Sequence, residues 1–213
     1  MKGSFAVNSI VEEFKKLPAT CISDAMDGLN NMDPGIKPVM EHLTLAGRAF
    51  TVKLRAGDNF KVLEAINEAQ PGYVLVIDAK GYLYNAACGD FVVQLAKTMG
   101  IAGMVIDGAV RDLAGIKALD FPVFCRGTTV AAGGKGGAGE VGVFISCGGA
   151  AVKPEDMVVG DADGVVVVPR EIEDEVLKKA KLKLAQDEER AQTALANREA
   201  AARYLQDILR KKG

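Results

Sequence analysis

Apolar residues recur along this chain with two periods, and the order in which those periods alternate predicts its elements. Residues 8–17 carry Ile10, Val11, Phe14 and Leu17 at helical spacing with Pro18 just beyond, which predicts a helix. Thr20 or Ser23 is expected to cap a second short helix ending near Gly28, and Asn30 to Pro38 reads as a loop. Arg48 to Arg55 alternates as a half-buried strand does, and Asp58 or Asn59 is placed to cap a helix running through Glu68. Tyr73 to Asp78 is a continuous apolar run of the kind buried on both faces of a parallel sheet. A helix from Asp90 to Met99, a strand from Gly103 to Ile106, a short helix from Asp112 to Leu119 and a strand over Phe121–Cys125 follow. This alternation predicts an α/β core.

Beyond residue 126 short strands and glycine turns replace it: Thr128 to Ala131, Val141 to Ile145, Met157 to Val159 and Val165 to Val168. The expected fold is therefore a layered β/β/α domain rather than a plain doubly wound sheet. Residues 171–212 contain neither Gly nor Pro and are crowded with Glu, Lys, Arg, Ala and Leu. They predict one long helix or two joined ones, about 60 Å if continuous at ~1.5 Å per residue. The chain thus divides into a domain over residues 1–170 and a helical extension over 171–213. Ile172, Val176, Ala180, Leu184, Leu195, Tyr204, Leu205 and Ile208 give the extension a broken apolar stripe. Its length favours reaching a neighbouring subunit over packing only on its own domain.

The 213 residues suffice for one packed domain plus an appendage, and the formal net charge of −2 provides no basic field for nucleic acid. No apolar run approaches the ~20 residues that span a bilayer, and Met1 to Phe5 lacks the apolar core of a signal peptide, so a cytoplasmic location is expected. Cys21, Cys88, Cys125 and Cys147 are widely spaced without a CxxC pair, which points to reduced, buried thiols. His42, the single histidine, lies in a polar stretch and reads as a surface residue. With Ser-His and Cys-His machinery removed, any catalysis must run on carboxylates, Arg, Lys, water and metal. Lys80 and Lys97 read as surface residues.

Two glycine motifs fall away on inspection. Gly134 to Gly139 matches GxGxxG, but a strand follows it instead of a helix, and Lys135 precedes Gly rather than Ser or Thr. It reads as a loop near a site. Gly160-Asp161-Ala162-Asp163-Gly164 reads as a tight turn between strands. A third pattern is of another kind. Asp90 opens a helix, Arg111 and Asp112 follow a short strand, and twenty residues separate Asp90 from Arg111. A strand end and a helix start can share one sheet edge, so the three side chains can meet beside an anion-binding helix N-terminus. Taken alone, an Arg-Asp pair after a strand is more often a helix cap plus a surface ion pair than a functional site.

Five segments occur in a fixed order: Pro34 to Pro38, Ala56 to Asn59, Val105 to Asp112, Phe121 to Phe124 and Gly160 to Pro169. Over about residues 18–170 the chain closely resembles the RraA-like family, which includes 4-hydroxy-4-methyl-2-oxoglutarate aldolases and the RraA regulators of ribonuclease E. The resemblance implies a β/β/α swivelling-type domain, assembled as a homotrimer or hexamer with sites between subunits. It places Asp112 as ligand of a divalent cation (Mg²⁺ or Mn²⁺) and Arg111 on the substrate. It places Gly89, Asp90, Phe91 and Val92 in a loop whose backbone amides hold a pyruvate carboxylate. The family often has an acid three residues after the metal aspartate; Gly115 stands there in this chain. That departure implies weaker metal binding, or a role passed to another carboxylate or to water.

The activity so implied is cleavage of a 4-hydroxy-2-oxo acid to pyruvate, with Asp90 and Arg111 catalytic and oxaloacetate decarboxylation passing through the same enolate. A non-catalytic regulator that binds and inhibits a ribonuclease is the alternative, since the regulators share the fold. A methyltransferase is weaker, because no nucleotide-binding glycine motif survives.

Overall fold

The structure, a computed structural model, describes residues 9–211. Four apolar strands form its centre because each is flanked by a helix whose apolar face needs cover. The strands β2 (Leu45–Leu54), β3 (Val74–Cys88), β4 (Gly103–Val110) and β5 (Val123–Thr128) run parallel, connected by α3 (Phe60–Glu68), α4 (Asp90–Thr98) and α5 (Leu113–Ala118). Every residue of β4 is buried, as its unbroken apolar run requires of a central strand. Short β1 (Lys37–Pro38) pairs antiparallel with β5 at one edge. At the other, β9 (Met157–Asp161) pairs antiparallel with β2, and β10 (Gly164–Val168) with β9. The order is β1-β5-β4-β3-β2-β9-β10, with β6 (Gly139–Val141) added to the end of β2.

Alternate residues of the parallel strands feed different cores. Leu75, Ile77, Met104 and Ile106 face Val62, Val93 and Ile116 of the three helices. Val74, Val76, Val105 and Phe124 face the hairpin β7 (Ile145–Cys147) and β8 (Ala150–Val152). Helices, sheet and hairpin are the three layers of a β/β/α domain. A third core joins Phe14 in α1 (helical over 9–14 among the described residues), Ile22 in α2 (Ala19–Ala25) and Val159 to Val176 and Ala180 of α6 (Glu173–Ala194). Buried Arg48 of β2 is ion-paired with Glu173, fastening the start of α6. The extension breaks at residues 195–197 into α6 and α7 (Arg198–Lys211), and no residue of α7 is buried. No helix of the described residues is long and apolar enough to cross a membrane.

Four local expectations need correction. Thr128 to Ala131 is not a strand: β5 ends at Thr128, and the chain beyond it meets β3 through an isolated bridge, Ala132 with Ala86, instead of a ladder. Val141 to Ile145 is split at Gly142, whose φ of 66° ends β6 before β7 begins. The helix expected over 8–17 is helical over 9–14 among the described residues, and Asn8 lies outside them. Neither Thr20 nor Ser23 caps α2; Ala19 is already helical, and its N–H donates to Asp161 Oδ2 at 2.8 Å from the β9–β10 turn. Other expectations match: the four cysteines are free and buried, and Asp163 N–H donates to Asp161 Oδ1 at 3.0 Å in that tight turn. His42 is on the surface, paired with Asp120 at 3.1 Å.

Candidate active site

The parallel strands end on one edge, and β3 reaches it by an irregular path. After Asp78 the chain turns through Lys80 and Gly81, with φ of 62° and 65°, and its pairing with β4 shifts register before Tyr82 and twice more before Cys88. The irregularity is anchored by charge. Asp78 Oδ1 accepts the Lys80 N–H at 3.0 Å, and the Lys80 ammonium is ion-paired with the same carboxylate. On β4, buried Asp107 is ion-paired with Arg126 of β5 and accepts the Gly148 N–H at 2.8 Å from the hairpin turn. Arg126 also reaches Asp33 at 3.0 Å. A buried carboxylate held this way ties strand, loop and hairpin together four residues before Arg111.

Gly89 and Arg111 thereby arrive side by side. The Arg111 N–H donates to the Cys88 carbonyl at 3.1 Å, and Gly89 is the residue immediately before α4. Arg111 Nε lies 3.3 Å from Asp112 Oδ2, with both side chains roughly half exposed. Asp112 has left-handed backbone (φ 57°, ψ 44°) and occupies the N-cap position of α5, yet its side chain makes no cap hydrogen bond. The ordinary employment of an aspartate there is thus unused, and its carboxylate turns instead toward Gly89. A backbone held in that region is a modest strain of the sort found at functional positions.

Gly89 is what lets the carboxylate in. A Cβ on it would collide with Asp112 Oδ2 and lie 3.2 Å from Arg111 Cγ and 3.3 Å from Arg111 Nε. Gly89→Ala keeps an extended φ of −121° that alanine adopts freely, and the atom it strikes is a mobile side-chain end. The expected result is a melting temperature within about 2 °C of wild type, since such surface changes stay near ~0.5 kcal/mol. Displacement of Asp112 is expected to lower kcat/KM at least about tenfold. A thermal melt beside steady-state kinetics checks both; unchanged kinetics would separate Gly89 from the site.

Asp90 is the first residue of α4, and its Oδ1 accepts the Phe91 N–H at 2.7 Å. The Phe91 amide is therefore engaged by Asp90, so a substrate carboxylate must compete for it. Phe91 and Leu113, which follow Asp90 and Asp112 in the chain, are exposed, and so are Tyr84 of β3 and Val130 beyond β5. Clefts of about 270 to 390 Å³ lie around α2, α6 and β9–β10, and one of about 160 Å³ lies beside Val11, Arg48 and Tyr73; Asp90, Arg111 and Asp112 line none of these. On one chain the candidate site is an open edge. Cys88 is fully enclosed next to it, and burial pushes its thiol up to about 12, which keeps it protonated and inert.

Among the described residues, no three His, Cys, Asp or Glu side chains gather as a metal cage. The donors present are oxygens, with Asp112 half exposed and free of any cap bond. That set fits a largely hydrated Mg²⁺ or Mn²⁺, which uses few protein carboxylates, and does not fit an enclosed zinc centre. Gly115 also belongs to the site: the sequence marked it as the place where the family often carries an acid, but gave no sign that it lies against Asp90.

Fold and geometry together define an α/β protein that presents a guanidinium and two carboxylates at the carboxyl edge of a parallel sheet. The RraA-like family model, described as Aldolase/RraA, matches residues 19–167, and the chain belongs to that family. It is 52% identical over 199 residues to a Halalkalibacterium halodurans protein named "Putative 4-hydroxy-4-methyl-2-oxoglutarate aldolase", covering 93% of this chain and 95% of that one. An alignment of that length must enter the C-terminal helices. Among solved structures, an uncharacterized protein from Pseudomonas syringae pv. tomato superposes with a TM-score of 0.77 at 29% identity, covering 89% and 92% of the two chains. The RNA-processing inhibitor RraA from Thermus thermophilis superposes with a TM-score of 0.67 at 28% identity, covering 72% and 93%.

Proposed function

We propose that this protein is a divalent-metal-dependent aldolase that cleaves a 4-hydroxy-2-oxo acid to release pyruvate and decarboxylates oxaloacetate through the same enolate. The observation that carries the proposal is the convergence of Arg111 and Asp112 on Gly89 at the start of α4, with Asp112 left out of its capping role. Asp112 and water would hold Mg²⁺ or Mn²⁺, which when bound supplies Lewis-acid polarisation of the 2-keto group. Arg111 faces the keto oxygen and carboxylate of the substrate. When the bond between C3 and C4 breaks, its electron pair becomes the enolate, and the guanidinium stabilises that charge more than it does the ground state. Asp90 orients the water that takes the C4 hydroxyl proton, leaving a carbonyl product, and that returns a proton to C3 to give pyruvate. Oxaloacetate loses CO₂ instead of a carbonyl compound and meets the same two groups.

A pyruvate-release assay over a panel of 4-hydroxy-2-oxo acids and oxaloacetate, with and without EDTA, tests this. Release that EDTA suppresses is expected; no release from any substrate defeats the proposal. The alternative, a regulator acting on a ribonuclease, is favoured by the likeness to the RNA-processing inhibitor. That likeness covers 72% of the chain, whereas the relative named as an aldolase covers 93%, extension included. Inhibition of a ribonuclease by a chain inert toward all the acids would reverse the preference.

The assembly proposed is a homotrimer or hexamer, with a domain over 1–170 and an extension over 171–213 whose first helix packs on its own core and whose α7 packs on a neighbour. The open site and the unburied α7, where Leu205 and Leu209 are exposed, both leave surface for a second copy to cover. Val176 and Ala180 belong to the core, so the informative truncation ends at Ala196 and removes α7 alone. Light scattering is expected to give three or six chains for the intact protein and a smaller or less stable assembly for the truncated one. A monomeric intact chain defeats the first part; a truncated chain with the same mass and melting temperature defeats the second.

A further inference from the structure

The two candidate carboxylates rest in the spaces of two missing side chains, and the arrangement is crossed. Asp112, just before α5, lies over Gly89, just before α4; Asp90, the first residue of α4, lies over Gly115, the third residue of α5. A Cβ on Gly115 would stand 2.7 Å from Asp90 Cβ and 2.8 Å from its Cγ, and closer still to Oδ2. Asp90 cannot simply swing aside. Its Cβ is fixed to the α4 backbone, and its Oδ1 is held by the Phe91 N–H at 2.7 Å. The backbone of Gly115 is helical with no positive φ, so chain geometry does not call for glycine there. In a helix interior glycine is less favourable than alanine. What the position requires is the absence of a side chain.

We propose that Gly115 is a positioning residue for the reaction. It leaves the notch that seats the Asp90 carboxylate between α4 and α5, and a larger residue at 115 drives that carboxylate out of line with Arg111 and Asp112. The inference rests on the role given to Asp90 above. It also makes Asp90, rather than a side chain at 115, the second acid of this site.

The test is a cycle of Gly115→Ala and Asp90→Gly in the full chain, read by pyruvate release and thermal melts; glycine at 90 is used because the Asp90 Cβ is itself part of the collision. Gly115→Ala is expected to lower kcat at least about tenfold while KM stays within about threefold, because Arg111 and the start of α4 still bind the substrate. In the Asp90→Gly background the same substitution is expected to change kcat by less than about twofold, since the group it displaces is gone. A kcat for Gly115→Ala within twofold of wild type overturns the inference. So does an equal fall in the Asp90→Gly background, or a KM that rises as far as kcat falls. If Gly115→Ala does not fold, the double variant, which lacks the whole colliding side chain, is expected to fold; its failure also overturns the notch. Should the wild-type chain release no pyruvate, the aldolase reading has failed and the melts judge the notch alone. Gly115→Ala melting below the double variant then supports it, and the reverse order overturns it.

Discussion

Asp112→Asn is expected to abolish EDTA-sensitive pyruvate release, by about three decades or more, with a melting temperature close to that of wild type. The first half follows from how Mg²⁺ binds. It keeps most of its waters and takes one or two carboxylates, so losing the charge of a single ligand removes most of what the protein contributes to holding it. Lewis-acid polarisation is worth several kcal/mol of barrier, and each ~1.4 kcal/mol is a decade in rate. The second half follows from the backbone. Asp112 has φ 57°, a left-handed conformation that asparagine tolerates as well as aspartate. The Arg111–Asp112 ion pair that would be lost is 3.3 Å long and half exposed, which places it among pairs of small worth. Turnover at the wild-type level in Asp112→Asn would sink the assignment of the metal position.

Which parts of the fold the residues disclosed depends on how local the cause of each element is. The buried strands could be placed because their apolar runs are dictated by burial on both faces, as in β4. The second half of β3 could not. From Lys80 to Asn85 its residues are partly or wholly exposed, and beside the Asp78–Lys80 pair within β3 stands the Asp107–Arg126 pair, which joins β4 to β5. The start of α2 was misplaced for a similar reason: its cap is Asp161, 142 positions away, and no local pattern records that. Thr128 to Ala131 has the composition of a strand, but it meets β3 where that strand's register is irregular, and a single bridge from Ala132 to Ala86 forms in place of a ladder.

For the candidate site, the positions of Asp90, Arg111 and Asp112 were legible as a helix start and a strand end twenty residues apart, which topology returns to one edge. Their orientation was not. That Asp112 declines its capping bond, that Asp90 occupies the Phe91 amide, and that Gly89 and Gly115 each make room for a carboxylate on the other element are facts of packing. The sequence pointed to Gly89 as part of a substrate loop and to Gly115 as a missing acid, and neither reading disclosed the space that the glycine leaves.

Arg111→Lys is expected to lower kcat/KM by about 10²-fold or more, with little loss of stability. The structural alternative is that Arg111 merely balances a neighbouring carboxylate, and the surroundings argue against it. Asp107, the buried acid on the same strand, is already taken by Arg126 and the Gly148 amide. Among the described residues Arg111 is left with Asp112, through Nε at 3.3 Å, and with its side chain 41% exposed. A lysine could keep an exposed ion pair of that quality, so a purely structural arginine would tolerate the change. A substrate with a carboxylate and a developing enolate oxygen is a different demand. The planar guanidinium offers parallel N–H donors to both oxygens at once, and an ammonium on a flexible stem cannot reproduce that fork. Removing one preorganised donor to a developing oxyanion typically costs ~10²–10³ in rate. The measurement is kcat/KM for the best 4-hydroxy-2-oxo acid and for oxaloacetate, beside a thermal melt. Equal proportional losses on both substrates place Arg111 on the shared pyruvyl unit. Unchanged kinetics with a lowered melting temperature would mean that the ion pair with Asp112 is its whole role.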